Sequence, residues 1–304
     1  VISLLTFALI QLAPGNFFDT LRMDPQFSEE TIERYENLYH LNEPVLVQYG
    51  YWLKNLLRGD LGYSFFYNLP VSKIILSRLL NTFILSLAGL ILTWGLAIPL
   101  GIIAAVNRNR LLDRLFQAAS VVGLSVPNFF LAMLLLYLGS SLKILPLGGM
   151  HSANYETLSP WLQFLDLLRH LVIPALAVSF AAIAGLQRVM RGNLLEVLRQ
   201  QYILAARAKG LPESRVIYVH ALRNAINPLV TIFGYHLSDL LSGEALVEII
   251  LNWPGLGTVM LAAVRAQDLY LVMASMLMGG GLLLCGNLLA DVLLAFVDPR
   301  IRYE

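Results

Sequence analysis

The sequence predicts an all-α membrane protein with six membrane-spanning helices. Composition, charge-free runs and the placement of cations carry that reading. Of 304 residues, 57% are hydrophobic and 13% charged, where soluble domains carry about 25% charged residues. Thr82 to Val106, Leu115 to Leu142 and Tyr270 to Ala290 hold no charged side chain. Each run meets the roughly 20 apolar residues needed to cross about 30 Å of hydrocarbon. The Lys and Arg residues gather in alternate connections, as they do around membrane spans. A soluble core of this chain length has no room for that much apolar surface. A nucleic-acid-binding face is excluded for a different reason: the net charge is +1 and the arginines flank spans.

Residues 1–13 form the first span. Val1 to Leu12 is apolar but about half the needed length, and it opens with Val rather than Met. A span shortened at its N-terminus fits this; a cleaved signal peptide is the rival, and no basic n-region remains to decide between them. Residues 14–81 then form a helical extracytoplasmic segment. Ser28 N-caps a helix whose first turn carries Glu29 and Glu30, which favours the positive dipole end. Pro44 closes that region. Val45, Tyr49, Trp52, Leu53 and Leu56 give a second helix one apolar side, and Arg58–Gly62 is a turn.

Residues 82–304 form the core transmembrane domain. Its spans are the three charge-free runs, Leu171 to Gln187 between Arg169 and Arg188, and Asn224 to Ser238 continuing through Asp239 and Glu244 to Glu248. Pro99, Pro127, Pro174 and Pro228 lie within spans, where each removes a helical hydrogen bond and bends the axis. Gly185, Gly234, Gly243, Gly279, Gly280 and Gly281 are expected to allow close helix contacts. Connections 107–114, 188–224 and 298–304 hold 12 Lys and Arg in 52 residues; connections 14–81, 143–170 and 248–270 hold 9 in 119. The first set is therefore cytoplasmic, and both termini with it.

The inventory of chemistry is thin. No phosphate-binding G-x-x-x-x-G-K-[ST] loop, no H-E-x-x-H and no Cys/His zinc spacing occurs. The single Cys285 makes neither an internal disulfide nor a metal cluster. No catalytic or metal-binding residue is assigned. Gly123-Leu-Ser125-Val resembles an intramembrane serine nucleophile site, which needs a histidine beside it; His236 is the candidate, and a bent-helix role before Pro127 explains Ser125 better. Ionisable groups inside a membrane are functional by default. His236, Asp239 and Glu244 thus line a polar path or pair helix to helix; Asp291 fits helix pairing or an interface position better.

The stretch 191–224 is basic and helix-prone between two apolar segments. Asn193 to Ala208 is rich in strong helix formers. Gly210 ends that helix in the left-handed conformation, and Pro212 forbids simple continuation. A helix, a glycine turn and a second helix at the membrane surface suit insertion into a groove on a soluble partner. Attachment to lipid headgroups through Arg199, Arg207, Lys209 and Arg215 fits the same pattern.

Ala205-Ala206-x-x-x-Gly210 resembles the core of the EAA loop of permeases in binding-protein-dependent ABC importers. Leu204 stands where that motif has Glu, and of its Ile-x-Leu-Pro only Leu222 is present. Those departures resemble the dipeptide, oligopeptide and nickel branch, as do Ala206-Arg-Ala-Lys-Gly210 followed by His220-Ala-Leu-Arg-Asn224. Similar to that branch also are Leu41-Asn-Glu-Pro-Val-Leu-Val-Gln-Tyr49, Gly59-Asp-Leu-Gly-Tyr-Ser64, Ser125-Val-Pro-Asn-Phe129, Trp253-Pro-Gly-Leu-Gly257 and Asp298-Pro-Arg-Ile-Arg-Tyr303. The resemblance is to the "B"-type subunit, from about residue 40 to the C-terminus.

The resemblance implies a type I ABC importer permease fold in a bacterial inner membrane. It implies a second homologous permease, two cytoplasmic ATPases that hold ATP and Mg, and an extracytoplasmic solute-binding protein; this chain would hold no cofactor and no ATPase site. The coupling loop would comprise Ala205, Ala206, Arg207, Ala208, Lys209, Gly210 and Leu211, with Arg207 and Lys209 pairing with acids of the ATPase. Cargo would be di- or oligopeptides, with nickel or glutathione as alternatives. A self-contained channel or secondary transporter would show internal repeats, which the sequence lacks.

Overall fold

The computed structural model describes residues 2–12, 15, 17–22, 28–142, 145–230, 232–233, 236 and 244–297. In chain order these form α1 (Ile2–Leu12), α2 (Phe17–Arg22), α3 (Glu29–Leu38), α4 (Val45–Leu57), β1 (Tyr63–Ser64), β2 (Leu69–Pro70), α5 (Val71–Val106), α6 (Leu111–Ser125), α7 (Asn128–Leu142), α8 (Pro160–Val197), α9 (Gln201–Ala208), α10 (Glu213–Arg215), α11 (Leu222–Ala225), α12 (Ala245–Ile250), α13 (Leu256–Arg265) and α14 (Leu269–Val297). Among these residues the fold is helical except for one hairpin ladder, in which Tyr63 pairs antiparallel with Pro70 and Ser64 with Leu69.

Among the described residues, four stretches are long and apolar enough to cross a membrane: Ile2–Asp19, Val71–Val106, Pro160–Val197 and Leu269–Leu289. α6 and α7 qualify as a pair, bent by 108°. The expected span Leu115 to Leu142 is therefore two helices rather than one bent helix. Val126, just before Pro127, is extended (φ −95°, ψ 120°), because the proline ring excludes its predecessor from helical geometry. The remaining expected span, 224–248, falls partly outside the described residues, including Gly234, Asp239 and Gly243.

The chain divides into two compact units. One comprises Val1–Thr82 with Pro254–Leu282, the other Phe83–Trp253 with Leu283–Glu304. The first unit closes around Phe7, Trp52, Val71, Ile75, Val259, Leu271 and Met273. Its hairpin is fastened by Asp268, a fully buried carboxylate. Asp268 accepts from the Ser64 hydroxyl at 2.6 Å, the Phe66 amide at 3.1 Å and the Leu271 amide at 3.3 Å. Burial pushes the Asp268 carboxyl above its ordinary range, and these donors pull the other way. Gly62, at φ +87°, lies so close to the Tyr270 ring that a Cβ would meet it at 2.6 Å. Only glycine satisfies both the backbone and the contact.

The second unit is organised along α8, 38 residues long and so about 57 Å. α6 packs on α8 at Gly123, where a Cβ would stand 2.8 Å from the Ala184 side chain. The Ser120 hydroxyl donates to Gln187 Oε1 across the same contact at 2.5 Å. α5 meets α8 at Gly101, where a Cβ would stand 2.7 Å from the Met190 side chain. Small residues at such crossings let backbones approach where no hydrophobic drive between helices exists. The glycines expected to serve this purpose do so less. Among the described ones, Gly185 has ordinary room and, in the first unit, Gly279 and Gly281 have open space around them, while a Cβ on Gly280 would stand 3.1 Å from the Ile2 side chain. Asp113, 3% exposed, receives Arg191 in a two-pronged pair at 2.6 and 2.8 Å and the Asn109 amide at 2.8 Å.

Candidate functional site

The basic loop is built on the end of α8. Asn193 to Ala208 is expected as one helix, but it breaks at Leu198–Gln200, with Gln200 extended (φ −73°, ψ 151°). The reason lies in burial. Leu194, Val197 and Ile203 all enter one core with Val216, Ile217, Ala221, Ala225 and Leu229. A continuous helix at 100° per residue would turn Ile203 about 240° from Val197. The break sets both inward.

α9 ends as its sequence predicts. Gly210 has φ +75°; its amide donates to the Arg207 carbonyl at 2.9 Å and the Leu211 amide to the Ala206 carbonyl at 3.4 Å. Those two bonds satisfy orphan carbonyls of the last turn, and Ala206 and Leu211 both pack against the same core. Pro212 is extended and starts α10. Within the chain, Arg207 grips Glu213 through Nε at 3.1 Å and Nη2 at 2.5 Å. That pairing holds its guanidinium above the ordinary arginine value. The residue pattern gave no signal for Glu213, since six residues and a turn separate it from Arg207.

The outer face of the loop remains open. Ala205, Ala208, Lys209 and Gly210 are exposed, as are Tyr202, Leu204, Tyr218 and Val219, with Leu204 at 54% and Tyr218 at 59%. The Asn224 carboxamide donates to the Tyr202 hydroxyl at 2.6 Å, tying α11 to α9. The loop thus presents a rigid helix with one face seated in the core and an apolar, weakly basic face outward.

A second feature of the same unit is a cavity of about 510 Å³, within the roughly 300–1,000 Å³ typical of small-molecule sites. Val178, Ala181, Ala182, Gly185, Leu186 and Val189 of α8 form one wall. His236 and Glu244 both line it, so two of the three expected path residues come together; Asp239 lies outside the described residues. Sequence reasoning missed Ser86, Thr93, Asn128 and Glu248, which also line it. Asn128 donates its carboxamide NH₂ to Glu244, a contact between residues 116 apart. Ser125 donates to the Val121 carbonyl at 2.8 Å, the back-bond of a bent helix. Asp291 is exposed on α14.

The family described as "Binding-protein-dependent transport system inner membrane component" matches residues 97–303. The chain belongs to this family. Among its relatives, the oligopeptide transport system permease protein AppB of Bacillus subtilis (strain 168) is 40% identical over 304 residues, covering 99% of this chain and 94% of the relative. A putative peptide permease protein of Brucella suis biovar 1 (strain 1330) is 37% identical, with the same coverage. The di/tripeptide transport system permease protein DppB of Pseudomonas aeruginosa (strain UCBPP-PA14) is 36% identical over 321 residues, covering 100% of this chain and 94% of the relative. As a family member the chain is a multi-pass inner-membrane permease component of an ABC importer, with the helical type I architecture.

Proposed function

We propose that this permease subunit forms half of a peptide-conducting pore. A second homologous permease completes the pore. Two cytoplasmic ATPases, which hold ATP and Mg, dock on the loop 191–224. An extracytoplasmic solute-binding protein delivers the cargo. Both termini and the loop face the cytoplasm, and segment 14–81 faces outward, on the strength of the Lys and Arg asymmetry. Peptide cargo follows the printed functions of the relatives.

The observation that carries this reading is the construction of α9. A capped helix with Ile203 fully buried cannot rock without moving the end of α8. Its exposed Tyr202, Leu204, Ala205 and Ala208 offer the apolar face that a soluble groove covers. α8 then links the two features: Val178 to Val197 spans about 28 Å at 1.5 Å per residue. Closure of the ATPases on ATP would drag α9 and the foot of α8 and so reshape the cavity wall formed by Val178 to Val189. Hydrolysis would release it.

Purification of the full-length chain from its native membrane in mild detergent tests the assembly. The expected result is recovery with a second multi-pass permease and one or two ATPases. Recovery of the folded chain alone, at high yield, would sink the reading and leave α9 as a helix resting on lipid.

A further inference from the structure

The cavity has a polar corner whose chemistry is one-sided. Asn128 points its NH₂ at the Glu244 carboxylate, which fixes the orientation of the amide, since the reverse would set two acceptors against each other. Its other end, Oδ1, is buried without a hydrogen-bond partner. Buried carbonyl oxygens rarely stay unpaired, so one belonging to a residue that lines the cavity marks where a donor fits. The same cavity is also lined by Ser86, Thr93, His236 and the fully buried Glu248, and among the described lining residues there is no Lys or Arg. A carboxylate next to an unsatisfied carbonyl, with no Lys or Arg among the described lining residues, favours a positively charged group rich in N–H donors. A bare divalent cation fits less well, because among the described residues no three His, Cys, Asp or Glu side chains converge and a metal needs more ligands than this corner offers.

We propose that Glu244 and Asn128 form a docking point for the α-ammonium group of a peptide in transit, with Glu244 supplying the charge and Asn128 Oδ1 accepting one N–H. This rests on the reading of the cavity as part of the cargo path. The corner then acts on what every unblocked peptide shares, while the apolar α8 wall of alanine, valine, leucine and glycine leaves side chains unread. Cargo with a blocked amino terminus loses the contact.

The test uses the complete importer in detergent micelles, with Cys285→Ala removing the native thiol and Ala182→Cys placing one on the cavity wall. Two methanethiosulfonates, one bearing a trimethylammonium and one a sulfonate, are compared, each normalised to its rate with free thiol. The cationic reagent is expected to react about tenfold faster, since an unpaired charge in a poorly solvated cavity acts strongly on a nearby ion. Glu244→Gln should bring the two rates to within about twofold of each other, and Glu244→Asp should retain the preference. Millimolar trialanine should slow labelling, and N-acetyl-trialanine should not. Equal rates for the two reagents, or equal protection by the two peptides, would overturn the ammonium site while leaving the path reading intact. No labelling of Ala182→Cys in any nucleotide state would overturn the path reading and this inference with it. If Glu244→Gln fails to assemble, the contrast between trialanine and its N-acetyl form on the otherwise intact cavity still decides.

Discussion

Gly210 offers a quantitative test of how the loop transmits movement. Its φ of +75° belongs to the left-handed region, and a Cβ built there meets nothing within 4 Å. The cost of a side chain at this position is therefore a backbone cost alone within this chain. Alanine should cost roughly 1–2 kcal/mol in that conformation, shifting the capped loop against its uncapped forms by about 5- to 30-fold. Asparagine, which visits this region readily, should cost less despite being larger. Proline cannot adopt the angle, and it also deletes the Gly210 amide that donates to Arg207 at 2.9 Å; about 3 kcal/mol or more is expected. The assay is peptide uptake per ATP hydrolysed by the reconstituted importer. The predicted order is glycine, then asparagine, then alanine, with proline abolishing transport while membrane insertion is retained. An order that follows side-chain volume, with asparagine worse than alanine, would show that a partner packs against Gly210 and would refute the backbone explanation.

Other perturbations follow from the same geometry. Asp113→Ala leaves the partly exposed Arg191 guanidinium without its carboxylate and should destabilise the second unit by about 1–3 kcal/mol; thermal unfolding of the complex checks it, and Arg191→Met added to Asp113→Leu should recover most of the loss. Gly123→Leu forces a side chain into the Ala184 contact and should cost about 1–3 kcal/mol or displace α6, read as a lower unfolding temperature. Asp268 titrates with a definite sign. Its carboxyl is raised in the fold by burial, so the folded state binds the proton more tightly than the unfolded state does. The Asp268 contribution to stability is therefore greatest below the ordinary value of 3.8 and declines as pH rises from there through the raised value. Unfolding temperatures of the wild type relative to Asp268→Asn should fall across that window and level off above it; a difference that rises with pH would reverse the assignment.

Much of this architecture was legible in the chain. Charge-free runs locate spans because hydrocarbon tolerates little else, and Gly210 before Pro212 announced the end of α9 through local backbone chemistry. What was not legible depends on contacts between distant residues. The helix formers from Asn193 to Ala208 gave no sign of the break at Leu198–Gln200, which exists because Ile203 and Val197 share a core. Pro127 announced a bend but not 108°, since a missing hydrogen bond permits an angle that packing then sets. The hairpin at 63–70 was invisible because two-residue strands carry no period, and Ser64 and Asp268 are 204 residues apart. Glycine count misled for the same reason: Gly62, Gly101 and Gly123 are needed for close approach, whereas the Gly279–Gly281 run is mostly open. In the cavity, His236 and Glu244 stood out as ionisable groups within a span, but Asn128 is an ordinary polar residue until Glu244 is set beside it.

The central claim is that α9 seats in an ATPase and carries its movement to α8. The most direct measurement places a photo-reactive amino acid at Ala205, exposed on α9, and a control at Leu138, 44% exposed on α7, followed by irradiation of intact membranes with and without ATP. The account predicts an adduct with an ATPase from Ala205 and not from Leu138, in a yield that changes with ATP. Adducts to lipid alone from Ala205, or equal ATPase adducts from both positions, would contradict it.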